Sequence, residues 1–80
     1  MTTERSRAIH ELDATVRVGK RGVGAVADEL VDQLEGQRFV KAKFLRAART
    51  SDTEELAADL AEQAGAEVVD VRGHTAVFER

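Results

Sequence analysis

Two glycines bracket two cations in Val18-Gly19-Lys20-Arg21-Gly22-Val23. These residue types at this spacing suit the binding of phosphate. Backbone N–H groups beside glycine can meet an anion without a Cβ in the way. Lys20 and Arg21 add mobile positive charge. A helix starting just after the loop would add the positive end of its dipole. A Walker A loop is excluded, because neither its glycine spacing nor its terminal Lys-Ser/Thr is present. Taken alone, the tetrapeptide reads more simply as a strand-to-helix turn that needs two glycines. The charge around it has to decide.

That charge is laid out in blocks. Residues 1–22 carry five Lys/Arg and three Asp/Glu, and residues 23–35 carry four acids and no cation. Residues 36–51 carry five cations and no acid, residues 52–67 six acids and no cation, and residues 68–80 two of each. A chain of net charge −3 thus gathers most of its positive charge in two blocks, one of them on the Gly-x-x-Gly loop. Lys41 and Lys43 fall on one face of a strand, with Arg46 and Arg49 just past its end. Arg17 alternates with Val16 and Val18, and Arg72 sits at a turn where it would extend the same patch. The plainer reading is a solvated sheet face whose cations pair with Glu67 or Asp70. The acids lie on the wet sides of two helices, where they would also turn a polyanion away from every surface but one.

The elements that must position these residues follow from periodicity. Residues 4–13 predict a short helix, with Ala8, Ile9 and Leu12 on its apolar side. Thr15–Val18 alternates as a first strand. Residues 23–35 place Val23, Val26, Ala27, Leu30, Val31 and Leu34 on one helical stripe, with Gly36 as the terminating glycine. Arg38–Leu45 predicts a central strand, with Val40, Ala42 and Phe44 on one face and Phe39, Lys41, Lys43 and Leu45 on the other. Ser51-Asp52-Thr53-Glu54 has the form of a capping box, and the helix after it should end at Gly65. Residues 67–72 and 75–79 form a hairpin turning at Gly73-His74. The order α-β-α-β-α-β-β describes an α/β domain of two to three layers around a four-stranded mixed sheet. Helical crossovers between the first three strands imply parallel pairing, with one antiparallel strand added at the end. Leu30, Leu34, Leu56, Leu60, Val40 and Phe44 should form the centre of the core. All 80 residues read as one domain.

Composition excludes several functions. With no cysteine there is no disulfide, thiolate metal site or Cys nucleophile. No apolar run approaches the length of a membrane span, and the N-terminal residues lack the apolar stretch of a signal peptide, so a cytoplasmic location is expected. His10 and His74 have no metal-ligand spacing. Ser6 and Ser51 have no neighbouring base, and Glu54-Glu55 lies on a helix exterior, so no catalysis and no cofactor are expected. With no Trp or Tyr and three Phe, stacking of bases on an aromatic platform is not the expected binding mode.

The run Leu12-x-x-Thr15-Val16-Arg17-Val18-Gly19-Lys20-Arg21-Gly22-Val23 resembles the start of the CRM domain (chloroplast RNA splicing and ribosome maturation), whose bacterial members are called YhbY proteins. Phe39-Val40-Lys41-Ala42-Lys43-Phe44 is similar to that family's second strand, and Glu54–Ala61 to its third helix. Gly65–Val69 and Arg72–Arg80 are similar to its final hairpin. The resemblance spans roughly residues 8–80. It implies a fold similar to the C-terminal domain of translation initiation factor three. It also implies a non-enzymatic RNA-binding protein acting on large-subunit precursor ribosomal RNA in ribosome assembly. With the charge layout, the residues expected to meet RNA are Arg17, Gly19, Lys20, Arg21, Gly22, Lys41, Lys43, Arg46, Arg49 and Arg72. No small-molecule substrate and no membrane are implied, and a monomer is expected. The loop is also similar to the Gly-x-x-Gly that clamps nucleotide backbone in KH domains. Three positions depart from the family pattern. The first helix is short and charge-balanced, Ala14 stands where proline is common, and His74 replaces an arginine in the hairpin turn. The alternative reading is a protein-interaction module whose basic face docks an acidic partner.

Overall fold

The computed structural model describes residues 7, 9, 11–48 and 51–80. β-Branched, alternating segments form the sheet: β1 (Ala14–Val18), β2 (Phe39–Phe44), β3 (Glu67–Arg72) and β4 (Thr75–Glu79). Two amphipathic segments form the helices α1 (Ala27–Gly36) and α2 (Thr53–Ala64). Of the helix expected over residues 4–13, Arg7, Ile9 and Glu11 are helical, Leu12 and Asp13 lie past its end, and the remainder falls outside the described residues.

The sheet order is β1-β2-β4-β3. β1 and β2 are parallel, and β4 is antiparallel to both of its neighbours. The expected parallel pairing of the second and third strands is therefore absent, and the last strand lies between them. The reason is width. A helix is about 10 Å across and a strand occupies about 4.8 Å, so each helix covers two strands. α1 packs near β2 and α2 rests on β3 and β4. The crossover through α2 therefore sets β3 one strand further out, and the hairpin brings β4 back into the gap.

One face of the sheet carries the main core. Val16 and Val18 of β1, Val40, Ala42 and Phe44 of β2, and Ala76 and Phe78 of β4 pack against Leu30 and Leu34 of α1 and Leu56, Ala57, Leu60 and Ala61 of α2. All six residues expected at the centre are buried in this cluster. The opposite face carries a smaller cluster of Ile9, Phe39 and Val77, edged by Leu12 and Val69. This is the partial second cover that the pattern of β2 predicts.

Helix ends differ from expectation in three places. The stripe over residues 23–35 is broken into a 3₁₀ turn (Val23–Ala25) and α1. Val23 and Val26 stay buried, because a spacing of three also stacks residues on one side of a 3₁₀ turn. Gly36 is the last residue of α1 and does not have a positive φ; Gln37 follows in extended conformation and leads directly into β2. Ser51 does not cap α2. The N-cap is Asp52, whose carbonyl accepts the Leu56 N–H at 3.0 Å, and no side chain caps the end. That shift of one residue moves Ser51 out of the capping position. Gly65 ends α2 as expected, at φ 66, and the Ala66 N–H reaches the Ala61 carbonyl at 2.9 Å, the longer bond of a Schellman motif.

Candidate nucleic-acid interface

The loop after β1 is built around an unequal pair of glycines. Gly22 has φ 81 and ψ −176, a region open essentially to glycine alone. Its N–H donates to the Gly19 carbonyl at 2.9 Å and closes the turn, so that amide is occupied. Gly19 has no positive φ, and a Cβ there would meet Leu45 Cδ1 at 3.9 Å, an ordinary contact. The turn thus requires Gly22, whereas the fold would accept a side chain at Gly19. The small size of Gly19 keeps the backbone open to whatever approaches. The helix dipole expected behind the loop is displaced, since α1 starts only at Ala27 after the 3₁₀ turn.

Lys20 and Arg21 are exposed at the loop tip. Beside them lies an open hollow of about 270 Å³, lined by Arg17, Gly19, Lys20, Arg21, Gly22, Ala25 and Val26.

Strand register extends the positive charge across the sheet. Arg17 of β1 is opposite Lys43 of β2, Lys43 is opposite Thr75 of β4, and Thr75 is opposite Arg72 of β3. Partners in register share a face. These four therefore form a row across all strands on the side away from the helices, about 15 Å long at roughly 4.8 Å per strand. Arg72 Nε lies 3.4 Å from Asp70 Oδ2 within β3, whereas the pairing expected of Lys41 and Lys43 with Glu67 or Asp70 is not found among the described residues. Lys41 is on the same face but half-buried, its Nζ donating to the Leu12 carbonyl at 3.4 Å. Arg46 is exposed in a second 3₁₀ turn (Arg46–Ala48) that leaves β2 beside the glycine loop, where the Leu45 N–H donates to the Val18 carbonyl at 2.8 Å. Arg49 lies outside the described residues.

The cations from distant blocks therefore meet at the carboxyl ends of two parallel strands, where α/β sheets commonly form their clefts. Among the described residues, the side chains of Arg17, Lys20, Arg21, Lys43 and Arg46 have no hydrogen bond or ion pair within the protein. The acids Asp28, Glu29, Asp32 and Glu35 of α1, and Glu54, Glu55, Asp59 and Glu62 of α2, are exposed on the helical layer. Among the described residues, no group of three or more His, Asp or Glu could hold a metal ion, and no helix is long and apolar enough to cross a membrane.

Sequence reasoning missed three contributors. Ala25 and Val26 line the hollow because the 3₁₀ turn swings them beside the loop, and nothing in the helical stripe announces that break. Leu45 is a large apolar side chain left 37% exposed next to Gly19. Its place at the end of an alternating strand was a readable signal.

No curated protein matches the chain in sequence. Among solved structures, the chain is similar to the hypothetical protein SAV1595 from Staphylococcus aureus, with a TM-score of 0.75 and 29% identity over 100% of this chain and 88% of that one. That protein is itself described as a proposed RNA-binding protein. The sequence profile of the CRS1/YhbY (CRM) domain matches residues 2–80. With the profile matching nearly its whole length, the chain belongs to the CRS1/YhbY (CRM) domain family.

Proposed function

We propose that this protein binds RNA through phosphate contacts, and that its RNA is ribosomal, on the precursor of the large subunit, where it assists assembly. Family membership and the similar staphylococcal protein support RNA binding in general. The observation that carries the reading is the meeting of Arg17, Lys20, Arg21, Lys43 and Arg46 at one end of the sheet with no acidic partner among the described residues. Gly19 lets the RNA backbone close on the loop, and Gly22 holds the turn that presents Lys20 and Arg21. Lys41 and Arg72 extend the charged surface, and Arg49 is a further cation of the same sequence block. The ribosomal assignment rests on the likeness to stand-alone single-domain members of the family. The protein acts as a cytoplasmic, monomeric, non-enzymatic one-domain module.

Titrating a labelled ribosomal RNA fragment at several salt concentrations tests this. Five neutralised phosphates at roughly 0.7–0.9 released counterions each give a log–log slope of about −3 to −5. A flat salt dependence would overturn the mechanism.

A further inference from the structure

The hollow beside the loop differs from the rest of the cationic surface in having a floor. Arg17, Lys20 and Arg21 supply charge at its rim, while Gly19, Gly22, Ala25 and Val26 form a neutral lining. A bare phosphate is satisfied by the cations and gains nothing from apolar walls. A nucleoside gains from both. At about 270 Å³ the hollow is near the small end of ligand pockets, which begin at roughly 300 Å³, so it suits one sugar and base and is too small for a folded segment. Stacking partners are also restricted. The chain has no Tyr or Trp, and Phe39, Phe44 and Phe78 are all buried. The guanidinium planes of Arg17 and Arg21 are the flat groups that border the hollow.

Building on the RNA-binding reading above, we infer that the hollow seats a single unpaired nucleotide of the bound RNA. Its ribose and base lie against Ala25 and Val26 with a guanidinium over the base, and its phosphate faces Lys20 and Arg21. The RNA class is then a helix interrupted by a bulge, loop or free end. An uninterrupted duplex keeps its bases stacked inside and can offer only phosphates.

The test compares two RNA hairpins by fluorescence anisotropy, one with a fully paired stem and one with the same stem carrying a one-nucleotide bulge. Wild type should favour the bulged hairpin by about tenfold, the scale of one stacked base. Ala25→Leu puts apolar volume into the hollow without changing charge, and Ala25 is exposed, so the fold should be kept. In this variant the ratio of the two affinities should fall close to one. Ala25→Gln fills the same space with a different shape and should act alike, with circular dichroism confirming both folds. Equal binding of the two hairpins by wild type, or a preference that survives in both Ala25 variants, overturns the inference. Failure of wild type to bind either hairpin sinks the RNA-binding reading itself.

Discussion

The two faces of the sheet use the same alternation of residues for opposite ends. Under the helices, the inward positions of β1, β2 and β4 from Val16 to Phe78 are apolar and buried, and Val68 and Val71 of β3 are apolar and half-buried. On the other face, Phe39 and Val77 are covered by Ile9 at one end, while Arg17, Lys43 and Arg72 stand exposed at the other. A small core can be completed on one and a half faces, which leaves half a face for charge. On the function proposed above, binding and stability fall to different side chains of the same strands. Substitutions on one side should leave the other property intact.

The sharpest test of that separation is Leu60→Ala. Leu60 is fully buried between α2 and the sheet, and its truncation should cost about 2–5 kcal/mol in urea unfolding. RNA affinity measured well below the unfolding transition should not change. A loss under about 0.5 kcal/mol would show that α2 does not pack as described. The converse variant is the pair Lys20→Asp and Arg21→Asp, which adds repulsion where phosphates would sit. It should lower RNA affinity about a hundredfold or more at low salt while moving stability by less than about 0.5 kcal/mol. Its control makes the same change of −4 away from the site, with Gln37→Glu, Ala58→Glu, Arg7→Gln and Arg80→Gln, all at exposed positions. Equal losses in loop variant and control would mean that bulk charge, and not the loop, governs binding. The smallest expected effects separate the two glycines. Gly22→Ala must hold a side chain in a glycine-only region and should cost about 1–3 kcal/mol in thermal or urea unfolding. Gly19→Ala should leave stability nearly unchanged and weaken RNA binding several-fold. If both act alike on stability, Gly19 is also a requirement of the turn.

Much of this arrangement is legible in the sequence because burial has a period. Leu30, Leu34, Leu56 and Leu60 recur at helical spacing, and Val40, Ala42 and Phe44 at strand spacing, so the core follows directly. The shared face of Lys41 and Lys43 follows from the same alternation. What period does not encode is which strands are neighbours. The place of β4 depends on how two helices tile four strands, a matter of widths in space. The register that lines up Arg17, Lys43 and Arg72 was unreadable for that reason, although each of these cations was a candidate. Local ends fail differently. The box at Ser51 and Glu54 had the right spacing but was one residue out of phase with the start of α2. The hollow depended on a 3₁₀ break whose residues keep the same stripe as a helix.

The position of β4 also governs how the chain can fold while it is being made. β4 is the last strand in order, yet it lies at the centre of the sheet. β1, α1 and β2 are made before β3 and β4, and the β2 edge stays bare until β4 pairs with it. β3 follows with no strand beside it, since its only partner in the sheet is β4. At about 5–20 residues per second, the chain waits several seconds between the emergence of β2 and that of Thr75–Glu79. The sheet closes only when that segment arrives, and both halves lock onto it together. In a nascent chain the four-stranded sheet is therefore complete only after β4 has emerged.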